Sequence, residues 1–169
     1  HDTFKRIEEL YERKDLVTRP TGRAVRSSIE IELAALAAAA GFAVVVLDFN
    51  GVRLMDLSCA DEIVAKLLQA WVCPSAPAQV CFLVRGLDDH HLDDIEHVLR
   101  PQQLALVAET RGTLRLIGEV ADPWRVAFAR LAERGRAAAE DLAADLSWPL
   151  DEVRSALDQL ALRRLVVEE

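Results

Sequence analysis

The chain has 169 residues, 51% of them hydrophobic and 28% charged, with a formal net charge of −8. That length and apolar fraction suffice for one well-packed domain, or for one domain with a small appendage. The acid excess argues against nonspecific attraction to nucleic-acid backbones, and no apolar run reaches the ~18 residues that span a bilayer.

Phe4, Ile7, Leu10 and Tyr11 recur at helical spacing and predict an N-terminal helix over residues 1–14. Asp15 to Val17 reads as a short edge strand. A long helix then opens at Thr21-Gly22, carries Val25, Ile29, Leu33 and Leu36 as its apolar stripe, and ends at Gly41. Arg19, Arg23, Arg26, Glu30 and Glu32 fall mostly off that stripe. Ala43 to Phe49 is a continuous β-branched run, predicted to be a central strand buried on both faces.

Asn50-Gly51 is a turn signal, and Val52 to Met55 a short extended piece. Ser58 is expected to cap the next helix, whose apolar face is Ile63, Val64, Leu67, Leu68 and Trp71. Gln79 to Val84 follows as a buried strand. A helix marked by Leu92, Ile95, Val98 and Leu99 stops at Arg100-Pro101. Strands Leu104 to Ala108 and Thr113 to Val120 are joined by Arg111-Gly112. Strands alternating with helices of this length give an α/β fold with a mixed sheet, over residues 15–120.

The pattern changes near Ala121-Asp122-Pro123. A helix through Trp124, Ala127, Phe128 and Leu131 is followed by another from Ala137 to Leu146. A third starts at Pro149, with Val153, Ala156, Leu157 and Leu160 inward, before a closing strand at Leu165 to Val167. That order, over 123–169, is the order of a small, mainly helical domain of winged-helix type.

The segments VVLDFNGV (45–52) and DLSCADEI (56–63), with TRPTGR (18–23) at the entry to the first long helix, resemble STAS-like domains. These are relatives of the bacterial anti-sigma-factor antagonists. The resemblance covers roughly residues 15–120, and residues 139–143 are similar to the second helix of winged-helix domains. It implies a STAS-like mixed sheet with packed helices, and a signalling protein that is not an enzyme. It also implies docking of a protein partner, a histidine-kinase-like ATPase, through Asp56, Ser58, Cys59, Asp61 and Glu62. In the antagonists a serine at the position of Ser58 is phosphorylated by the partner. Here the family's Asp-Ser-Ser-Gly is replaced by Asp56-Leu57-Ser58-Cys59, and Asp61 and Glu62 would repel a phosphate. Ser58 therefore has two readings, an N-cap or a phosphorylated switch.

His90, Asp94 and His97 share a helical face and are weak metal candidates; no tight metal motif accompanies them. No GxSxG elbow, GxGxxG loop or oxyanion signature occurs, so no catalytic residue and no cofactor is expected. The alternative function is a winged-helix transcriptional regulator with a STAS-like sensing domain, touching DNA through Arg154, Arg163 and Arg164. Its candidate recognition helix is acidic, with Asp151, Glu152 and Asp158, which favours protein contact over DNA. Trp148, beside Pro149, is expected to be exposed and to contact the other domain or the second chain of a homodimer. The cysteines Cys59, Cys73 and Cys81 form no CxxC pair, and charged Lys5, Arg6, Glu8 and Glu9 stand where a signal peptide is apolar. Both point to a cytoplasmic protein with reduced thiols, and Cys59 and Cys81 read as small buried hydrophobes.

Overall fold

A computed structural model describes residues 2–6, 15–39 and 42–168. The protein is mixed α/β. Five strands, β1 (Asp2–Arg6), β3 (Phe42–Asp48), β5 (Gln79–Arg85), β6 (Ala105–Thr110) and β7 (Thr113–Gly118), form one sheet in that spatial order. The first four are parallel and β7 is antiparallel. Two residues link β6 to β7. Arg111 and Gly112 both have positive φ (52° and 77°), the backbone that matches the twist of a two-residue hairpin.

Three helical elements connect the parallel strands: α1 (Arg19–Ala39), a composite α2, and α3 (Asp89–Leu99). The helix α2 starts as α-helix over Leu57–Ala60, widens to a π-turn over Asp61–Ala65, and resumes over Lys66–Trp71. All three contribute to one core on one face of the sheet. There Val25, Ile29 and Leu33 meet Ile63, Leu67 and Ile95 over Val45, Leu47 and Val84. A two-stranded parallel ladder joins β2 (Asp15–Leu16) to β4 (Leu54–Met55) and stands apart from the main sheet.

The C-terminal segment forms α4 (Asp122–Arg134), α5 (Ala139–Leu146) and α6 (Leu150–Leu162). It packs on the opposite face. Ala105 and Val107 of β6 and Leu116 of β7 share a second core with Ala127, Phe128, Ala156, Leu160 and Leu165. Successive residues of β6 thus serve different cores, because neighbouring side chains on a strand point to opposite faces. Arg125 fastens the seam by donating to the carbonyl of Leu116 at 2.6 Å.

Several expectations are corrected. Residues 2–6 form a strand in parallel register with β3, Asp2 opposite Val44 and Arg6 opposite Asp48. Phe4 therefore does not belong to a helix, since an unfilled sheet edge outweighs one turn of helical spacing. Ile7, Leu10, Tyr11 and Gly41 lie outside the described residues. In β3, Ala43, Val45 and Leu47 are buried but Val44 and Val46 only partly so. Among the described residues the C-terminal helices cover the β5–β7 end and leave that flank of β3 thinly clad. Leu165 to Val167 is not a strand. Arg164 adopts a left-handed φ of 56°, Leu165 donates its N–H to Leu160 at 2.9 Å, and the Leu165 side chain enters the second core. A capped helix end turns the chain inward there, so among the described residues no wing extends. Trp148 is half-buried against the second core and is not a free anchor.

Because sheet and tail share side chains, they should unfold together. Replacing Phe128 with Ala is expected to cost about 3–5 kcal/mol. Chemical denaturation followed by circular dichroism and by tryptophan fluorescence should shift to one common, lower midpoint, with no separate loss of the tail.

Candidate functional site

The residues singled out by the resemblance lie where β4 turns into α2. Asp56 is the organising residue of this corner. Its Oδ1 accepts the N–H of Cys59 and its Oδ2 that of Thr18, both at 2.8 Å, while its own N–H donates to Leu16 at 3.0 Å. One side chain therefore caps α2 and ties it to the segment entering α1. Burial pushes the Asp56 carboxyl up, but the two backbone donors outweigh it and hold the group below the ordinary aspartate range. Ser58 is not the cap, which corrects the sequence reading. The N–H groups expected to reach Ser58 are taken elsewhere, that of Ala60 by the Asp56 carbonyl and that of Asp61 by the carbonyls of Leu57 and Ser58. Ser58 stands partly exposed in the first turn of the helix, where its hydroxyl has no structural duty of that kind.

The corner presents apolar side chains to solvent. Val17 is 38% exposed, Leu54 51% and Leu57 44%, all within three residues of Asp56 or of its Thr18 partner. Cys59 points inward instead. It is fully buried, its thiol donates to the Thr18 carbonyl at 3.0 Å, and burial, reinforced by the Asp56 charge, pushes it up to about 12. A thiol held protonated in this way is a packing group and not a nucleophile.

Glu62 is also interior, only 1% exposed, and it is surrounded by cations. Arg19 and Lys66 approach Oε1 at 2.8 and 3.2 Å, Arg26 approaches Oε2 at 3.2 Å, and Arg23 lies 3.6 Å from Oε1. Arg19 also binds Asp61 at 2.8 Å, and Arg26 also lies 3.5 Å from Glu30. Arg19, Arg23 and Arg26 stand at i, i+4 and i+7 on α1, so one helix face delivers all three. Gly22 lets that face come close. A Cβ there would lie 2.8 Å from Cβ of Glu62 and 3.1 Å from Cα of Cys59. Burial pushes the Glu62 carboxyl up, but hydrogen bonds from Arg19 and Lys66 and the nearby positive charges hold it below the ordinary glutamate range.

The five residues of the expected partner surface thus divide. Asp56 caps, Cys59 and Glu62 are interior, and Ser58 and Asp61 reach solvent. Sequence reasoning assigned no role to the Arg19, Arg23, Arg26 and Lys66 set. Its signal was the spacing of Arg19, Arg23 and Arg26 with Gly22 among them.

The other candidates lie elsewhere. Arg154 pairs with Glu140 at 3.1 Å. Arg163 donates to Gln159 and stacks over the Trp124 ring at 4.2 Å, and Arg164 sits in the turn after α6. His90 is exposed, 3.7 Å from Asp94, on the outer side of α3. Among the described residues no group of three His, Cys, Asp or Glu side chains is placed to hold a metal ion, and no helix is long and apolar enough to cross a membrane. Comparisons with protein-family models, with curated proteins and with solved structures find no match.

Two outcomes are expected. Gly22→Ala should destabilise the protein by about 1–3 kcal/mol despite the better helix propensity of alanine, because the added methyl meets backbone and a Cβ. A glutamate held below its unfolded value stabilises the fold fully above the ordinary glutamate range. That contribution is lost as pH falls through the lowered value. Thermal midpoints of the wild type should therefore drop on acidification below about pH 4. Glu62→Gln should be less stable at neutral pH and show a flatter acid limb.

Proposed function

We propose that the protein is a non-enzymatic regulatory protein that binds a protein partner through the β4–α2 corner, as the STAS-like resemblance implies. The observation that carries this reading is the exposure of Val17, Leu54 and Leu57 around a tightly tied turn. Apolar side chains on a corner held by Asp56 offer a surface that loses little freedom on binding. The tail supports the reading by its position, since it packs on the other face of the sheet and leaves the corner open. Ser58, partly exposed beside Leu57, is where a phosphate would interrupt such an apolar contact. The partner on this reading is a histidine-kinase-like ATPase, and the protein works in the cytoplasm.

The DNA-binding alternative has less support. Arg154 and Arg163 are engaged by Glu140, Gln159 and Trp124, and residues 165–167 form no strand. Two acidic residues, Asp151 and Glu152, occupy the first turn of α6.

The test is affinity purification from the native host with mass spectrometry, run in parallel on wild type, Leu57→Asp and Ser58→Glu. The wild type should retain one stoichiometric partner. Both variants should keep the wild-type circular dichroism and bind that partner at least about tenfold more weakly, a change of roughly 1.4 kcal/mol. A partner retained equally by all three, or duplex DNA bound at low salt and lost with Arg163 and Arg164, would sink the reading.

A further inference from the structure

We propose that the cationic rim over Glu62, formed by Arg19, Arg23 and Lys66 with Arg26 beneath, is a binding site for a phosphoryl dianion, either free phosphate or a small phosphate ester. The proposal does not depend on the partner reading.

The first argument is the layering of charge. Glu62 is 1% exposed, whereas the side chains of Arg19, Arg23 and Lys66 are 41%, 57% and 38% exposed. The carboxylate lies inside and the cations outside. A solute arriving from water meets guanidinium and ammonium groups before it meets Glu62. The buried carboxylate draws these like charges together from beneath, and it competes with an outside anion for their donors.

The second argument is the supply of hydrogen-bond donors. A guanidinium has five N–H donors and an ammonium three. Arg19 uses a single nitrogen, Nη1, for both Asp61 and Glu62. Arg23 lies 3.6 Å from Glu62, beyond hydrogen-bonding distance, because Arg19 and Lys66 already crowd that oxygen. Nε of Arg26 is buried and has no acceptor among the described residues. Donors exceed acceptors, and the exposed surplus points to an acceptor with several oxygens. A phosphoryl group presents three terminal oxygens and accepts guanidinium forks two at a time.

The third argument is the backbone. The π-turn Asp61–Ala65 falls at this contact, where it places four successive buried residues, Glu62 to Ala65, between α1 and α3. Wide turns of this kind cost hydrogen-bond regularity and recur at functional sites. Facing the site, the acidic groups are Glu62, Asp61 and Glu30, which pair with Arg19, Arg26 and Lys66. Asp56 spends its oxygens on backbone N–H groups. Arg23 is left as the cation with the least compensation.

Isothermal titration with inorganic phosphate, at constant ionic strength set by chloride, tests the site on the whole protein. Wild type should show one saturable site, and Arg23→Ala/Lys66→Ala should weaken it at least about tenfold while keeping its circular dichroism. Glu62→Gln removes the inner competitor. It should bind phosphate several-fold more tightly, and phosphate should restore more of its thermal midpoint than of the wild type's. A purely structural ion-pair cluster would give neither effect. A nucleoside 5′-monophosphate titrated alongside separates the sources. Tighter binding than phosphate assigns an ester, and equal binding assigns the phosphoryl group alone. Absence of saturable binding at millimolar phosphate, or an affinity untouched by the double variant, would overturn the proposal.

Discussion

The structure depends on one buried carboxylate. Glu62 sits between α1 and α2 with its charge removed from water, a situation that costs several kcal/mol unless counter-charges are brought in with good geometry. The counter-charges come from α1, at positions 19, 23 and 26, and from Lys66 one turn along α2. Satisfying Glu62 fixes how α1 is rotated about its axis. Gly22 then fixes how near it comes, because only a residue without Cβ tolerates the approach to Glu62 and Cys59. With rotation and distance set, Thr18 is delivered to Asp56, and the corner between β4 and α2 is closed by hydrogen bonds from both sides.

This arrangement gives the corner a rigidity that its sequence of short strands would not supply. The ladder of β2 and β4 has only two residues on each side, too short to be stable alone. Asp56 compensates by joining the end of that ladder to the first turn of α2 and to the residue before α1. Thr18 accepts a left-handed φ of 71° to present its N–H, a strained backbone for a β-branched residue. Strain kept at a turn beside exposed Val17, Leu54 and Leu57 is what a surface held for recognition would require. On the proposed reading, Asp56 and Cys59 would matter to that surface through its shape, and Leu57 and Ser58 through contact.

What the sequence disclosed follows from the range of the interactions involved. Strands β3 and β5 and helix α3 were legible because short-range patterns specify them. They are continuous apolar runs in the strands and apolar spacing with Asp88 at the helix start. The hairpin at Arg111-Gly112 was legible for the same reason. The N-terminal strand was not, since it pairs with an edge of β3 that lies far along the chain, Asp2 opposite Val44. Ser58 and Asp56 are both good capping residues, and only the backbone dihedrals, with Asp56 extended at φ −86° and ψ 168°, decide between them. The burial of Glu62 was least legible. An acid after another acid reads as solvated helix surface, and nothing local reveals that three arginines from α1 will converge on it. The three helices of the tail were legible in their apolar spacing. The tail's attachment to the sheet was hidden, because Phe128 and Leu160 look the same whether they close a small core or cover β6.

The overall charge and the local charge of this protein point in opposite directions, and distance decides which governs an encounter. The chain carries −8, and much of the acid lies on α3 and on the tail. At physiological ionic strength a charge is screened over about 8 Å. The tail packs on the far side of a sheet whose two faces each carry a layer of helices. Its acids therefore contribute little to the potential at the corner, while Arg19 lies 2.8 Å from Asp61, and Arg23 and Lys66 lie 3.6 and 3.2 Å from Glu62, with Asp61 about one helical turn from Ser58. A negatively charged group approaching α1 is thus met by exposed cations in the last part of its path, even though the molecule as a whole repels it. The same neighbourhood alters the meaning of Asp61 and Glu62 for Ser58. As a bare sequence they are two carboxylates that would oppose a phosphate on that hydroxyl. In the folded protein both are already neutralised by Arg19 and its neighbours, so the electrostatic objection to charge at the head of α2 is largely removed.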